Sequence, residues 1–344
     1  MAFISVIMVA YNAEIYLNRA LSHLLSQNFQ DYELVFVDNG STDSTAEIIN
    51  RFHEEHPEID MQLGKIIVND GLPKGRNLGL SMAKGCYVMF HDVDDWMDAD
   101  CLETIARAAR LNCSERIIQQ VRYVNDMGEE FEELCYPKDA SRWLKNTLQG
   151  DLFLRDIITK NDLCFVKEAF YDDFFFVNLF NSVSKNAFFI NETHYNMCMH
   201  DHSLTHKVDA IPGYYPSRLA STFDSMRGIM EKLIEPNEKI LYEYNCLQIY
   251  YYHVFHCYRM PFHQKISEYK LLNQIMKKYY PLYLNNQNVK FYAPNGYEGH
   301  FKRNIWICTK AEKVDRLLHV SVIMILILML YHFAILTRLY KYKA

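Results

Sequence analysis

Residues 86–96 read CYVMFHDVDDW: an apolar run from Cys86 to Phe90, then Asp92, Asp94 and Asp95 within four positions. Two like charges about 4 Å apart repel by about 1 kcal/mol even in bulk water, and by more near a protein surface. A chain that crowds acids at the end of a short apolar run therefore has a use for them. Hard divalent cations take carboxylate oxygens, often one or two from the protein and the rest from substrate phosphates. The plainer use is capping, by Asp95 or Asp98, of a helix beginning near Ala99. We expect the cap to account for Asp95, and a cation with its ligand to account for Asp92 and Asp94. An EF-hand is excluded although Asp92, Asp94 and Glu103 have the right spacing, because Trp96 takes a ligand position and Met97 replaces the required glycine.

The same pattern recurs upstream. Ser5–Val9, Glu33–Val37 and Lys65–Val68 are further apolar runs rich in β-formers, each followed by a polar turn and a helix-period stretch. The first leads into a helix through Leu17, Leu21, Leu24 and Leu25. The second ends at Asp38-Asn39-Gly40, with a helix expected from Ser41 or Thr42. The third ends at Asn69-Asp70-Gly71, with a helix expected after Gly75. Continuous apolar runs alternating with helices predict a mostly parallel sheet covered on both faces. Ligands of such sheets bind beyond the carboxyl ends of the strands, where the unusual polar residues of this chain sit. Gly71, Gly75 and Gly79 do not match G-x-x-x-x-G-K-[ST], and no G-x-G-x-x-G follows the first run, so P-loop and nicotinamide readings fail.

Composition narrows the rest. Half of the 344 residues are hydrophobic and 23% are charged, which suits a globular core and not a disordered chain. The nine cysteines contain no C-x-x-C pair, which excludes zinc-ribbon and thioredoxin-type motifs and suggests free thiols in a reducing compartment. No secretory signal is expected, so the sequons at Asn112 and Asn191 would stay unmodified. Residues 301–344 carry eight Lys or Arg against Glu312 and Asp315, a balance of +6, which leaves −12 on the first 300 residues. No nucleic-acid partner is expected of so acidic a body, whereas the basic tail suits a membrane surface. Leu317 to Leu336 contains no formal charge, and twenty helical residues span about 30 Å, the thickness of a hydrocarbon core. Between 111 and 165 the pattern loosens, with Glu129–Glu133 a solvated loop or edge. From about Pro212 it becomes helical and rich in tyrosine, more suited to core than to ligand.

The stretches SVIMVAYNAEIYLNRALSHLLSQ (5–27), LVFVDNGSTDSTAEII (34–49) and KGRNLGLSMAKGCYVMFHDVDDW (74–96) together resemble the family 2 glycosyltransferases, over roughly residues 3–110. Tyr171-Asp172-Asp173-Phe174-Phe175 is similar to that family's acidic element, with Asp172 in place of the usual Glu, and residues 200–205 are similar to its R-x-x-S-I-T ending.

The resemblance implies the α/β GT-A fold, with a nucleotide-sugar-binding and catalytic domain over 1–210; beyond it the residue pattern alone gives a helical region over 211–316, an apolar membrane-associated helix over 317–337 and a basic tail over 338–344. The resemblance also implies that Val9 and Tyr11 line the base and that Asp38 binds the uracil or ribose edge, with Asn39 replacing a second Asp. Arg76 would lie near the diphosphate, Asp92 toward the ribose, Asp94 on Mn²⁺ or Mg²⁺, and His200 near the metal or diphosphate. Asp173 would be the catalytic base. The implied activity is inverting transfer of a hexosyl or N-acetylhexosaminyl unit from a UDP-sugar to an acceptor hydroxyl. The acceptor would be a lipid-diphosphate-linked saccharide in bacterial surface-polysaccharide synthesis. The protein would then work at the cytoplasmic face of the inner membrane, peripheral or with one C-terminal span. A nucleotidyl- or phosphoglycosyl-transfer enzyme and a non-catalytic membrane-bound sugar-binding scaffold are the alternatives.

Overall fold

A computed structural model describes residues 2–134, 145, 147–166, 172–200, 236–256, 262–286, 297–317 and 323–330. The chain divides into two units, Met1–Lys167 with Tyr171–His200, and Glu168–Phe170 with Asp201–Ala344. In the first, β1 (Ile4–Ala10), β2 (Tyr32–Asp38), β3 (Asp60–Lys65) and β4 (Tyr87–Phe90) form a parallel sheet in the order β3-β2-β1-β4. Helices α1 (Glu14–Leu25), α2 (Thr45–Glu55) and α3 (Leu72–Met82) make the crossovers. Every residue of β2 is buried, which explains why it reads as a continuous apolar run and does not alternate.

Beyond β4 the sheet becomes mixed. After β5 (Trp96–Met97) and α4 (Cys101–Asn112) come β6 (Arg116–Val124), β7 (Glu130–Leu134) and β8 (Leu152–Leu154). These are followed by α5 (Arg155–Lys160), α6 (Asp172–Val183) and β9 (Ala187–Cys198). The order continues β4-β8-β6-β9-β5, with β7 on β6 as the acidic edge. This α/β architecture agrees with the expected fold class. The strands after Asn112 gave no clear sequence signal because they are short, or buried only in part, and pair across large separations.

Three boundaries differ from the sequence reading. The third strand is Asp60–Lys65, not Lys65–Val68; Ile67 and Val68 are 88% and 71% exposed, so their apolar run is loop. Helix α2 begins at Thr45, because the preceding polar residues are bound to the neighbouring loop. Helix α3 begins at Leu72, with Gly71 before it at φ 91°, so Gly75 and Gly79 lie inside the helix. A Cβ at Gly75 would stand 2.4 Å from Val9 Cγ1, and one at Gly79 would stand 2.5 Å from Ile7 Cγ2. The glycine spacing therefore lets α3 lie directly on β1.

The second unit contains α7 (Pro236–His256), α8 (Phe262–Tyr279) and α9 (Tyr297–Leu317). Tyr242, Tyr250, Tyr251 and Tyr283 are fully buried, as core tyrosines should be. Glu312 on α9 accepts hydrogen bonds from Tyr250 (2.8 Å), Tyr269 (3.2 Å) and Tyr283, and burial pushes its carboxyl above the usual range. Residues 323–330 are helical, and Asp315 accepts from the backbone N–H groups of Ile323 and Met324 at 3.0 and 2.9 Å. Among the described residues no helix is long and apolar enough to cross a membrane. Most of the expected apolar helix over 317–337, and all of the tail over 338–344, lie outside the described residues.

Candidate active site

The parallel strands β1, β2 and β4 end together, and two of the loops they release are bound to each other. Asn12, at φ 50°, accepts from the Thr42 N–H at 2.8 Å and donates its own N–H to Ser41 Oγ at 3.0 Å. The Ala13 N–H donates to Thr45 Oγ1 at 2.8 Å, and that of Glu14 to Asp43 Oδ2 at 3.2 Å. In return the Ser44 N–H donates to Glu14 Oε2 at 3.0 Å. The polar run 41–45 thus fastens the second loop to the first.

Asp38 is buried at the end of β2, its Oδ1 accepting from the Ser41 N–H at 2.9 Å. Asn39 donates to the Gly71 carbonyl at 3.1 Å, and its own Oδ1 is buried without a partner. Val9 packs under Gly75, and Tyr11 stands 48% exposed at the mouth of the strand ends.

Close packing of α3 brings Arg76 down among the acids. Its guanidinium, 3% exposed, donates to Asp172 Oδ2 at 2.7 Å and to Asp92 Oδ1 at 3.2 Å. Asp92 is held on its other oxygen by Gln149 Nε2 at 2.8 Å. Asp172 and Asp173 open α6, so the expected acidic element meets the β4 acids through Arg76. Burial, and then the neighbouring Asp172 charge, push the Asp173 carboxyl up to about 7, against the pull of Arg76.

Asp94 Oδ2 lies 2.9 Å from His200 Nε2, and that bond raises the imidazole above its ordinary value. His200 Nδ1 faces the Tyr16 hydroxyl at 3.2 Å, with the two rings stacked. Arg19 secures the Asp94 carbonyl at 2.8 Å and lies over Trp96. Carboxylate oxygen and imidazole nitrogen are both donor types that a cation such as Mn²⁺ takes, and a cation there would replace the hydrogen bond between them. Among the described residues no group of three or more His, Cys, Asp or Glu is arranged to hold a metal alone. This pair would therefore give part of a coordination sphere, leaving positions for phosphate oxygens and water.

Asp95 does not cap the next helix. Helix α4 starts at Cys101 after Asp100, and Asp95 is buried, accepting from the Tyr195 hydroxyl at 2.9 Å and the Cys198 N–H at 2.8 Å. Burial and the charges of Asp94 and Asp92 push its carboxyl well above the usual range. Asp98 likewise binds β9, through Asn196 at 2.9 Å, and Arg122 at 3.2 Å. These two acids attach the motif to a strand that the sequence did not reveal. Gln149, Tyr16 and Tyr195 were missed for the same reason: nothing local marks them as partners of Asp92, Asp94 and Asp95. Residues 201–205, the remainder of the expected family ending, lie outside the described residues.

Residues 5–162 match the family model described as Glycosyl transferase family 2. Curated glycosyltransferases from Haemophilus influenzae and Streptococcus pneumoniae are 41% and 39% identical over 103 residues, 30% of this chain. The chain spans 40% and 14% of the length of those two relatives. A longer match, 26% identical over 272 residues, covers 72% of this chain and 74% of the cholesterol galactosyltransferase of Borreliella burgdorferi. In structure, the fold is similar to residues 1–349 of Staphylococcus aureus TarS in complex with UDP-GlcNAc. That likeness has a TM-score of 0.68 at 17% identity and covers 94% of this chain and 93% of the other. The fold is also similar to a mannosyltransferase from Pyrobaculum calidifontis in complex with GDP-Man and Mn²⁺. Here the TM-score is 0.58 at 15% identity, with 91% and 87% covered.

Proposed function

Residues 5–162 of this chain are a glycosyl transferase family 2 domain, and on that premise we propose that the protein moves a hexosyl or N-acetylhexosaminyl unit from a UDP-sugar to an acceptor hydroxyl, with inversion. The observation that carries this reading is the convergence of Asp92, Asp94, Arg76 and the Asp172–Asp173 pair around the end of β4. The fold's likeness to a structure holding UDP-GlcNAc supports the choice of donor class.

The residues divide the chemistry as follows. Val9, Tyr11 and Asp38 border the base and ribose, and Asp92 meets the ribose. Arg76 is already committed to two carboxylates, so it acts on the diphosphate mainly by its charge and by fixing the acids. Asp94 with His200 would hold Mn²⁺ or Mg²⁺, and the likeness to a structure containing Mn²⁺ supports that assignment. Such a cation neutralises charge on the departing diphosphate.

Asp173 is the base. An acceptor hydroxyl is a weak nucleophile, and a carboxylate taking its proton during attack must be ionised yet basic enough to accept it. A carboxyl brought up to about 7 meets both conditions. One base opposite the leaving group gives a single displacement, with no carboxylate nucleophile and no covalent sugar intermediate.

We place the acceptor on a lipid, as a lipid-diphosphate-linked saccharide in bacterial surface-polysaccharide synthesis. The protein would then sit at the cytoplasmic membrane face. The basic, apolar tail of the sequence supports this, as does similarity to an enzyme named for galactosyl transfer to cholesterol. A screen of nucleotide sugars with Mn²⁺ and a synthetic lipid-diphosphate-sugar acceptor tests the proposal. UDP release with a longer saccharide is the expected result. Release of UMP or of inorganic diphosphate would replace it with phosphoglycosyl or nucleotidyl transfer, and sugar binding without turnover would make the protein a binding scaffold.

A further inference from the structure

Asp92 is held from two sides, and only Arg76 belongs to the motifs that announce the site. On the other side Gln149 donates its amide to Asp92 Oδ2 at 2.8 Å, while its own Oε1 is buried without a partner. An acceptor left unpaired in the interior is a standing cost. A glutamine that only filled space would be free to turn that oxygen toward water, so the bond to Asp92 and its backbone setting hold it.

That setting is built from charge. Lys145 Nζ donates to the Gln149 carbonyl at 2.6 Å, to the Gln119 carbonyl at 3.0 Å and to Asp151 Oδ1 at 2.5 Å. Arg116 donates to Asp151 Oδ2 through Nε at 3.0 Å and Nη2 at 2.6 Å, to Asn181 Oδ1 at 3.1 Å and to the Lys145 carbonyl at 3.0 Å. Between Gln149 and Asp151, Gly150 takes φ 76°, which a side chain rarely adopts, and its carbonyl accepts from Gln119. The Arg116, Lys145 and Asp151 side chains are fully buried. Apolar packing usually stabilises an interior as well as a buried ionic group does, so stability alone gives no reason for this arrangement.

We propose that Gln149 is a positioning residue for the donor site. The buried Arg116–Asp151–Lys145 triad fixes the Gln149–Gly150 turn, and Gln149 fixes the second oxygen of Asp92, so that this carboxylate meets the nucleotide already oriented. The proposal rests on the reading of Asp92 as a donor contact.

The test measures UDP affinity of the full chain by calorimetry in Mn²⁺, together with steady-state kinetics in the donor. Gln149→Leu keeps the volume and removes the amide; it should weaken UDP by about tenfold, the loss of one charge-assisted hydrogen bond. The donor KM should rise in proportion with kcat within about twofold, because only ground-state orientation is lost. A merely structural role would instead lower the active fraction and leave KM unchanged. Asp92→Asn and the double variant complete a cycle: the double should bind no more than about twofold more weakly than Asp92→Asn alone. Gln149→Glu, which sets a like charge against Asp92 without changing size, should lose more affinity than Gln149→Leu and serves if that variant fails to fold. Wild-type affinity in either Gln149 variant, or losses that multiply in the double, would overturn the proposal and leave the donor-site reading standing. A wild-type protein that does not bind UDP would overturn both.

Discussion

Replacing Arg76 with Met should separate the site's electrostatics from its packing. The guanidinium is 3% exposed and bonded to Asp172 at 2.7 Å and Asp92 at 3.2 Å; methionine keeps most of the aliphatic volume and removes the charge. Opposite charges about 4 Å apart at an effective dielectric near 20 attract by about 4 kcal/mol, and desolvation of the guanidinium offsets part of that. Removing one partner of a buried pair typically costs about 3–5 kcal/mol, because the remaining charge has no compensation.

The size of the loss should depend on pH. Burial already raises the Asp172 carboxyl, and Arg76 opposes that rise, so the variant carries it higher still. A carboxyl whose folded pKa exceeds its unfolded value holds its proton more tightly in the folded state. Its contribution to stability therefore falls as pH rises through that window. Urea unfolding at pH 8 should show the full deficit of about 3–5 kcal/mol, and the gap to wild type should shrink steadily toward pH 4.5 as the acids are protonated. A deficit below about 0.5 kcal/mol at pH 8, or one independent of pH, would refute the electrostatic account and leave Arg76 as a packing residue.

Asp173→Asn should abolish transfer with folding intact, and wild-type kcat/KM should rise with pH through about 7 and then level as Asp173 ionises; activity retained in the variant would move the base to Asp172. Gly75→Ala places a methyl 2.4 Å from Val9 Cγ1, so thermal unfolding should report a loss of about 1–3 kcal/mol, relieved by Val9→Ala in the double variant. Glu312→Gln should stay within about 1 kcal/mol of wild type in urea, because it still accepts tyrosine hydroxyls, whereas Glu312→Leu strands several of them and should cost about 3 kcal/mol or more; equal losses would show that the hydrogen bonds contribute little.

The half of the sheet that carries the motifs was legible because its strands are buried on both faces and its helices are local. The remainder was not. Strands β6 and β9 pair in parallel across about seventy positions, and their side chains answer to partners that no local pattern names. The acids show the same division. Asp92 and Asp94 stood out by crowding and spacing, whereas the place of Asp95 depends on Tyr195 and Cys198, a hundred residues later. The helix of Gly75 and Gly79 was expected only after Gly75, and only the close approach of those two glycines to Val9 and Ile7 explains why both lie within it.

The bonds between the first two loops bear on how this protein can be studied. Asn12, Ser41, Thr42, Asp43 and Thr45 look like a reactive polar string in the sequence, yet their hydrogen bonds are largely taken up by one another and by adjacent backbone. An alanine scan scored only by product formed would record losses across this string and count its members as chemical participants. Scored also by soluble yield and melting temperature, the same losses should sort with folding, and the residues that lose rate alone should cluster at Asp92, Asp94 and Asp173. For a screen of inhibitors or altered donors, residues 41–45 are therefore poor positions to diversify. The exposed ring of Tyr11, which stands beside them, can be changed without unfastening either loop.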